Sequence, residues 1–550
     1  MRITRISFSI FPLCLILTSC ASVPKNAPTG PRCIEVFGSA DMHGALSHRT
    51  RHAGDVEIRY GGLPAQNAYI KALREKYPEQ ILLLDGGDIY QGSLASNLNY
   101  GEAFIKAMNH MGYAAAAVGN HEFDFGPGPD GGDDRLGIMK KRFVEAKFPF
   151  LAANILNKNN DKPVQWPNHR ASVLLEVNGI RIGIIGAATP ETTVTTNPEN
   201  IVDLKFPPAA PYVIAQAKKL RDAGAQLVIL LAHIGARCRS LKDPFDASSC
   251  QPDSHLIELV KALPQGTIHA ALGGHTHNFI GHWINGAALM QAGSNARALS
   301  HVSLCVDGQN NFDWTQSSIH PPINLCLDEW AEGGCRYRKK SVGKMAAKFD
   351  GQPLPKDLAF EKLLAPYLEA VVEKEKEHLG ITLPYAYKRK SQKHNLGDAL
   401  CAGMRQVSGA DIGIHNLGGV RTDLPAGDLN FGQAFRVLPF ENYVAVAHLS
   451  GEEIHTFVAA LLKRRQGDRP FVSGLIVDAQ SAEDFSLRLE NGEPLKPTQH
   501  YIVATSDFMS KGGEGLGPLF KSLKKEELKS LELSVRDALI AYFKKVHPSP

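Results

Sequence analysis

Residues that can bind divalent metals follow five short apolar runs of the sequence. They occur in small clusters at the points where the runs end. The clusters are Asp41-Met42-His43, Gly87-Asp88, Gly119-Asn120-His121-Glu122-Phe123-Asp124, Ala232-His233 and Gly273-Gly274-His275-Thr276-His277. Carboxylate oxygens, amide oxygens and neutral imidazoles suit hard or borderline divalent ions. One such cluster arises by chance, but five in the same position relative to an apolar run indicate a metal centre.

The donor set is large enough for two ions. Asp88 has two carboxylate oxygens and is suited to bridging them. The remaining donors are Asp41, His43 and one of His275 and His277 for the first ion, and Asn120, His233 and the other late histidine for the second. Two neighbouring divalent ions hold a phosphoryl group and activate a water as hydroxide for in-line attack. The sequence therefore predicts phosphoester hydrolysis.

The elements that must position these clusters alternate between strands and helices. Apolar runs predict buried strands at 34–37, 81–84, 113–118, 180–185, 227–231, 268–272 and 288–291. Helical periodicity covers 65–76, 102–111, 209–223 and, after a Gly/Pro/Cys-rich region, 357–379. This alternation is typical of an α/β fold. In an open α/β sheet the strand ends meet along one edge, which would bring the five clusters together.

The composition describes an ordinary folded chain of more than one domain. Its 550 residues include 60 basic and 56 acidic side chains, 43% apolar residues and 8% aromatic residues. These values exclude a disordered, collagen-like or coiled-coil protein. A formal charge of +4 without a long Lys/Arg run argues against a nucleic-acid partner.

The first 19 residues have the form of a secretion signal. Arg2 and Arg5 precede a mostly apolar stretch, 6–17, that is too short to span a bilayer. The next residues, Leu17-Thr18-Ser19-Cys20, resemble the bacterial lipobox, which predicts lipidation of Cys20 and a lipid-anchored tether over 20–32. The predicted location is extracytoplasmic, on a bacterial membrane facing the periplasm, and Ala21 favours the outer membrane. A soluble secreted protein is the alternative.

Seven cysteines remain once the signal segment and Cys20 are set aside. The close pairs are Cys238/Cys250 and Cys326/Cys335, and the others are Cys33, Cys305 and Cys401. Each close pair is predicted to form a disulfide, as an oxidising compartment allows, because neither has the C-x-x-C spacing of a zinc site. The connectivity of the other three is left open, and one of them is expected to be free and buried.

The metal-binding clusters resemble the signature of calcineurin-like metallophosphatases, in the form found in bacterial periplasmic 5′-nucleotidases and UDP-sugar hydrolases. The resemblance lies in Asp41-Met42-His43, Gly87-Asp88-Ile89-Tyr90-Gln91-Gly92, Gly119-Asn120-His121-Glu122-Phe123-Asp124, His233 and Gly274-His275-Thr276-His277. It implies a β-sandwich flanked by helices. The implied ligands are Asp41, His43, Asp88 and His277 for one ion, and Asp88, Asn120, His233 and His275 for the other. The ions would be Mn²⁺, Zn²⁺, Co²⁺ or Mg²⁺.

The same resemblance implies catalytic roles for two residues that are not ligands. His121 would contact the phosphoryl group, and would stabilise the transition state or protonate the leaving group. Asp124 would orient the His121 imidazole; the alternative for Asp124 is a turn or cap residue. His277 stands where UDP-sugar hydrolases commonly have Gln, whereas histidine is usual in other members of the family, so metal binding is not threatened.

Three segments of the second half are similar to the family's nucleotide-binding motifs. They are Asn416-Leu417-Gly418-Gly419-Val420-Arg421, Leu438-Pro439-Phe440-Glu441-Asn442 and Asp507-Phe508-Met509-Ser510-Lys511-Gly512-Gly513-Glu514-Gly515. The implied substrate-binding residues are Asn416, Gly418, Gly419, Arg421, Phe440, Phe508 and Glu514, with Lys390 ahead of them. The alternative is that Phe440 and Phe508 are core residues and that the glycine pairs are turns.

The implied roles divide the nucleotide among these residues. Phe440 and Phe508 would sandwich the base, Arg421 would hold phosphate with its planar fork, and Glu514 would accept from the ribose hydroxyls. The chain departs from the family at two positions. Aspartate is usual at 514, and Lys390 replaces a phosphate-binding arginine, which gives charge without bidentate geometry. These departures concern the choice of substrate.

The resemblance predicts three parts of the mature chain: a catalytic domain over 33–345, a linker helix region over 346–383 that allows domain rotation, and a second α/β domain over 384–550 that binds a small-molecule nucleotide. The predicted activity is release of phosphate from nucleoside 5′-monophosphates. The enzymatic alternatives are UDP-sugar or 2′,3′-cyclic nucleotide hydrolysis and the thiosulfohydrolase branch of the scaffold. The non-enzymatic alternative is a nucleotide-binding lipoprotein, and it predicts a missing ligand.

Overall fold

A computed structural model describes residues 30–548, except 129–131, 337–338 and 342. The predicted signal segment, Cys20 and most of the predicted tether lie outside the described residues. Within the described part of the chain, no helix has both the length and the apolar character that crossing a membrane requires.

Two mixed sheets form the centre of the N-terminal domain. In chain order its strands are β1 Arg32–Ser39, β2 Arg49–Ala53, β3 Val56–Tyr60, β4 Ile81–Asp85, β5 Ala115–Ala117, β6 Phe150–Leu151, β7 Leu156–Asn157, β8 His169–Arg170, β9 Ser172–Val177, β10 Ile180–Ala188, β11 Leu204–Lys205, β12 Leu227–His233, β13 Ala270–Leu272, β14 Phe279–Ile284, β15 Ala287–Ala292, β16 Ala298–Val306 and β17 Phe312–Asn324. One sheet has the order β17-β16-β1-β4-β5-β6-β8, and the other β14-β15-β13-β12-β10-β9. Short pairs, β2 with β3 and β7 with β11, lie outside them.

The predicted strands are present, but the prediction that they meet along the edge of a single sheet is wrong. The first three predicted runs fall in one sheet and the last four in the other. These strands bury both faces, so their apolar runs look alike whether they form one sheet or two. The β-sandwich implied by the family resemblance is the observed arrangement.

The two sheets enclose one apolar core, and helices cover their outer faces. Ile34 and Val36 of β1 belong to the same buried cluster as Ile229 and Leu231 of β12. The helices of this domain are α1 Gly62–Lys76, α2 Leu94–Asn97, α3 Glu102–Met111, α4 Gly137–Glu145, α5 Thr192–Thr195, α6 Ala210–Asp222 and α7 His255–Ala262. Helices α1, α3 and α4 pack on the first sheet, and α6 and α7 on the second. The result is a four-layer sandwich with the strand ends left open for loops.

The predicted linker helix is observed as α8, Leu358–Lys376, after the short strands β18 Asp328–Trp330, β19 Lys344–Ala346, β20 Lys348–Phe349 and β21 Gln352–Pro353. The Asp357 side chain caps α8 by accepting from the Phe360 N–H. Phe360, Leu364 and Val371 are buried in the same cluster as the helices of the first sheet and Phe435 of the second domain. The helix is therefore packed against both domains.

The second domain is a five-stranded sheet with helices on both faces. Its elements are β22 His378–Leu383, α9 Leu396–Ser408, β23 Ile412–His415, β24 Gly427–Asn430, α10 Phe431–Val437, β25 Tyr443–Ser450, α11 Gly451–Arg464, β26 Phe471–Ser473, β27 Leu475–Ala479, β28 Phe485–Leu489, β29 His500–Ser506, α12 Asp507–Ser510, α13 Gly517–Ser522, β30 Leu528–Ser534 and α14 Val535–Val546. The sheet order is β26-β23-β29-β25-β30. Helices α9 and α14 pack on one face and α11 on the other. Strand β22 pairs with β24, so residues 378–383, placed in the linker region by the sequence, are paired with the second domain.

Three disulfides and one free thiol account for the seven cysteines between 33 and 401. The two predicted close pairs are bonded. The sequence left the connectivity of three cysteines open. Two of them, Cys33 of β1 and Cys305 of β16, face each other across neighbouring strands and form a disulfide. Cys401 is free and buried. The sequence could not identify the Cys33 bond because its partner lies 272 residues away.

We expect the Cys33–Cys305 bond to contribute more stability than the Cys238–Cys250 bond. The first closes a loop of 272 residues and the second a loop of 12, and a longer loop removes more entropy from the unfolded chain. Replacing Cys33 and Cys305 together by alanine should lower the free energy of unfolding by about 2–5 kcal/mol in denaturant titrations. An equal or larger loss on replacing Cys238 and Cys250 would contradict this expectation.

Candidate functional site

Loops from the carboxyl ends of strands in both sheets meet at one point. The residues after β1 and β4 are tied together by their backbones, because the Asp41 N–H donates to the Gly87 carbonyl (2.9 Å) and the His43 N–H to the Asp88 carbonyl (3.0 Å). The loop after β13 joins them, since the His275 N–H donates to Asp41 Oδ1 (2.7 Å). Residues separated by more than 200 positions in sequence thus form one site.

The first group of metal-binding atoms comes from Asp41, His43 and His277. Their ligand atoms lie within 4.8 Å of one another. His43 Nε2 is 2.9 Å from His277 Nε2, and His277 Nε2 is 3.7 Å from Asp41 Oδ1. Asp88 Oδ2 is 3.9 Å from His43 Nε2, so its carboxylate also borders this group.

The second group shares Asp88. Its Oδ2 lies 3.1 Å from His233 Nε2, and Asp88, His233 and His275 offer ligand atoms within 4.8 Å of one another. Asn120 Oδ1 is 3.1 Å from His233 Nε2 and 2.9 Å from His275 Nδ1. The His233 Nδ1 faces the Gly86 carbonyl at 2.8 Å, which fixes Nε2 toward the group. The structure therefore brings all seven predicted ligands together, with Asp88 between the two groups.

The donor set fits divalent cations. Asp41 Oδ2 is buried and has no hydrogen-bond partner among the described residues, a costly arrangement for a carboxylate oxygen that no cation approaches. Burial lowers the pKa of His43 and of His277 well below the usual range, so both rings are neutral and have lone pairs for a metal. Burial likewise lowers the pKa of His275. Oxygen and neutral imidazole donors suit Mn²⁺, Zn²⁺ and related ions.

The loops hold the ligands in an uncommon backbone conformation. Five of the seven predicted ligands have positive φ angles, namely Asp41, His43, Asp88, His275 and His277. This region is costly for residues with a Cβ and occurs where surrounding contacts impose it. Gly119 allows the close approach, because a Cβ at this position would overlap Asp88 Oδ1.

Glu122 organises the loops around Asp88, a role that the sequence did not identify. One of its oxygens accepts from the N–H groups of Asp88 (3.0 Å) and Gly119 (2.7 Å), and the other from Ile89 (2.8 Å). Burial, followed by the nearby charge of Asp88, raises the pKa of Glu122 to about 7. Its place beside His121 in a metal-binding cluster was the only available signal.

His121 and Asp124 form the predicted pair. His121 Nδ1 lies 2.6 Å from Asp124 Oδ2, and the other Asp124 oxygen accepts from the Thr196 hydroxyl (2.6 Å). Burial lowers the pKa of His121, but the charges of Asp124 and Asp88 and the hydrogen bond with Asp124 outweigh it, so the pKa is raised. His121 Nε2 faces the metal-binding groups, 4.0 Å from Asp88 Oδ2. Thr196, which holds Asp124, had no sequence signal.

Two predicted residues of the second domain reach this centre. Arg421 Nη2 lies 3.4 Å from His43 Nε2, and the Phe440 ring stacks on His121 with 5.7 Å between centroids. The Arg421 guanidinium lies 5.6 Å from the Phe440 ring centroid. The two domains are therefore in direct contact at the site, with a cation and an aromatic face beside the metal-binding groups.

Five of the other predicted substrate-binding residues lie close together in the second domain: Asn416, Gly418, Gly419, Phe508 and Glu514. Asn416 donates to Glu514 Oε1 (2.6 Å), and a Cβ at Gly418 or Gly419 would collide with Arg465 or His415. The Phe508 ring packs against Gly513 and the core of the second domain. The Glu514 side chain is only 4% exposed, and Arg464 and Arg465 also donate to its oxygens (3.3 Å each).

Lys390 is not brought to the site. Its side chain is 88% exposed and lies 3.9 Å from Asp468 on the surface. The preceding residue, Arg389, is closer to the centre: its Nη1 lies 3.5 Å from the Val420 carbonyl, and its charge contributes to lowering the pKa of Arg421, after burial. Arg389 and Lys390 are neighbours in an irregular loop, yet their side chains point in different directions. The sequence alone does not show which of the two faces the site.

Glu191, at the start of α5, is a further residue that the sequence did not identify. Its Oε2 lies 3.0 Å from His275 Nε2, and its Oε1 accepts from Arg464 of the second domain (2.6 Å). Burial acts to raise the pKa of Glu191, but the hydrogen bond with His275 and the charge of Arg464 outweigh it and lower the pKa, so the carboxyl is ionised. Because burial keeps His275 neutral near pH 7, Arg464 is the permanent positive partner.

Comparison with known proteins matches both domains. A family model described as calcineurin-like phosphoesterase matches residues 36–279, and one described as 5′-nucleotidase, C-terminal domain, matches 374–524. The chain is 26% identical to the "Silent protein UshA(0)" of Salmonella typhimurium over 513 residues, 86% of each chain. It is also 26% identical to a 5′-nucleotidase of Vibrio cholerae, covering 91% of this chain and 89% of that protein.

A solved structure shows the same fold. The 5′-nucleotidase precursor from Thermus thermophilus superposes with a TM-score of 0.73 at 20% identity, covering 94% of this chain and 97% of that one. The two family models match in the order of the two domains, and the relatives align over nearly the whole chain. Both findings agree with a site to which both domains contribute residues. The chain belongs to the 5′-nucleotidase family that couples a calcineurin-like phosphoesterase domain to a 5′-nucleotidase C-terminal domain, and it is a phosphoester hydrolase.

Proposed function

We propose that this protein uses two divalent metal ions to release phosphate from nucleoside 5′-monophosphates. One observation carries the proposal: two metal-binding groups that share Asp88 lie in contact with Arg421 and Phe440 of the second domain. A phosphoryl group at the metals would lie beside a guanidinium, and the rest of the nucleotide would extend toward an aromatic face. A phosphomonoester of a nucleoside has this distribution of charge and aromatic surface.

The residues of the first domain would hold the ions and the phosphoryl group. Asp41, His43 and His277 would bind one ion, Asn120, His233 and His275 the other, and Asp88 both. When bound, such ions supply Lewis acidity to the phosphoryl oxygens and make a water more acidic. The chain contributes the neutral imidazoles of His43, His275 and His277, an ionised Asp88 and loops whose backbones are already fixed, so little reorganisation is required.

His121 would act on the phosphoryl group through its free nitrogen. Asp124 occupies Nδ1, which leaves Nε2 directed toward the metal-binding groups. The raised pKa of His121 keeps a proton available there. A protonated Nε2 can donate to a phosphoryl oxygen or to the leaving ribose oxygen.

The second domain would recognise the nucleotide. Arg421 has a planar guanidinium that can bind two phosphate oxygens, and Phe440 offers a ring face for the base. Phe508 would supply the opposite face after a displacement of the Phe440 ring, which in this structure stacks on His121. Retention of these residues favours a nucleotide over the sulfur-bearing substrate of the thiosulfohydrolase branch.

We expect phosphate release to be fastest with nucleoside 5′-monophosphates. The measurement is a screen of metal-stripped protein against nucleotides, UDP-sugars, 2′,3′-cyclic nucleotides and a thiosulfonate, with Mn²⁺, Co²⁺, Zn²⁺ or Mg²⁺ restored separately. Asp88→Asn, which removes a charge from both metal-binding groups, should abolish the metal-dependent signal, and Asp134→Asn on the surface should not. Turnover of cyclic or sugar nucleotides alone would overturn the substrate assignment, and an active Asp88 variant would overturn the metal assignment.

We expect His121→Ala to lower kcat by about 10²–10⁴-fold, the usual contribution of a positioned proton donor. Metal content, measured by mass spectrometry, should stay at the wild-type level because His121 is not assigned as a ligand. A smaller loss is expected for Asp124→Asn, which keeps the imidazole but weakens its orientation. Wild-type kcat in the His121 variant would exclude the proposed role.

We further propose that the protein is extracytoplasmic and is anchored to a bacterial membrane by a lipid on Cys20. The apolar segment 6–17 and the lipobox-like residues ending at Cys20 support the anchor. Three disulfides in the described chain suit an oxidising compartment.

We expect cell fractionation to place the wild-type protein with the membranes. Cys20→Ser should carry no lipid by intact mass, and it should remain with the inner membrane or be soluble. A lipid-free wild-type protein would contradict the anchor.

A further inference from the structure

The Glu191 carboxylate joins the two domains at the side chain of a predicted metal ligand. Oε2 lies 3.0 Å from His275 Nε2 in the first domain, and Oε1 accepts from Arg464 Nη1 of the second domain at 2.6 Å. His275 faces the second metal-binding group with its other nitrogen, since Nδ1 lies 2.9 Å from Asn120 Oδ1. Glu191 Oε2 therefore faces the first domain, where His255 Nδ1 also lies 3.4 Å away, and Oε1 faces the second domain.

The contact continues into the predicted nucleoside site. Arg464 Nε donates to Glu514 Oε2 (3.3 Å), and Glu514 Oε1 accepts from Asn416 (2.6 Å). Arg464 and Glu191 are only 23% and 22% exposed, so water screens the pair less than it would an open surface ion pair. A continuous series of charged hydrogen bonds runs from His275 to Asn416.

We propose that Glu191 is a positioning residue that couples binding of a nucleoside in the second domain to retention of a metal ion by His275. The inference rests on the proposed function, because it takes His275 as a ligand. Glu191 fixes the His275 ring by accepting from Nε2–H, and such carboxylate partners strengthen metal binding by histidine. Arg464 fixes Glu191 only while the two domains are in contact.

The coupling follows from the shared residues. A nucleoside that contacts the second domain at Glu514 and Asn416 stabilises the arrangement in which Arg464 reaches Glu191. In that arrangement Glu191 holds the His275 ring in the orientation that binds the metal. By reciprocity, the nucleoside and the metal must raise each other's affinity by the same factor. The glutamate at 514, where aspartate is usual, has the longer side chain that meets Arg464 and Arg465 here.

A second ion pair between the domains provides a matched control. Lys511 of the second domain lies 3.3 Å from Glu199 of the first, and within the described part of the chain neither forms a hydrogen bond or ion pair with a predicted metal ligand. Glu199→Gln therefore removes the same kind of contact between the same domains without touching the histidines. The change in Zn²⁺ affinity caused by Glu199→Gln measures the part that comes from a weaker contact between the domains in general.

The test measures metal affinity with and without a nucleoside. Zn²⁺ is titrated against a chelating dye in the full chain, alone and with saturating adenosine, which has no phosphate to bind the metal directly. In the wild-type protein adenosine should raise the Zn²⁺ affinity by about fivefold or more. Glu191→Gln should weaken Zn²⁺ binding by about 10–100-fold and lose the adenosine effect. Arg464→Gln should lose the adenosine effect with a smaller change in Zn²⁺ affinity alone.

The outcomes separate this inference from the proposed function. Retention of the adenosine effect in Arg464→Gln, or its equal loss in Glu199→Gln, would overturn the coupling. Wild-type Zn²⁺ affinity in Glu191→Gln would overturn the positioning role. In either case metal-dependent phosphate release by the wild-type protein would leave the proposed function standing. Thermal unfolding midpoints near that of the wild type show that each variant is folded, and Arg464→Lys, which keeps the charge, should retain part of the coupling.

Discussion

The loops of the site are arranged around a buried negative charge, the carboxylate of Asp88. The residue is 1% exposed, and burial alone would raise the pKa of its carboxyl. The charges of His233 and His121 and the hydrogen bond with His233 outweigh burial and lower that pKa well below its usual value. An ionised group without water needs donors and cations around it, and the loops of both sheets supply the positions from which these come.

Positioning so many polar groups in one place has a cost in backbone conformation. Five ligand positions are left-handed, which costs roughly 1–3 kcal/mol at each non-glycine residue. The two-sheet core offsets this cost, because its central strands, such as β12 and β13, are fully buried and end where the loops begin. Glu122 reduces the remaining freedom by binding three loop N–H groups. The donor atoms are thus placed by the fold before any ion binds.

The second domain contacts the site from outside this core. Arg421 and Phe440 lie in its loops, yet they contact His43 and His121 of the first domain. Helix α8 packs against both domains and so connects their cores as well as their chains. A site divided in this way depends on the contact between domains, because neither domain alone has both the metal-binding groups and the aromatic face.

From the sequence alone one can predict seven of the buried strands, helices α1, α3, α6 and α8, the two close disulfides and the residue types of the metal-binding clusters. These features are local: an apolar run, a helical period or a short cysteine spacing is visible within a few residues. The family resemblance added the sandwich and the division of the ligands. The folded structure was needed to show which strands share a sheet, the Cys33–Cys305 bond, the outward direction of Lys390 and the roles of Glu122, Thr196 and Glu191. Each of these depends on the distance between residues remote in sequence or on the direction of one side chain in an irregular loop, and neither leaves a periodic signal in the chain.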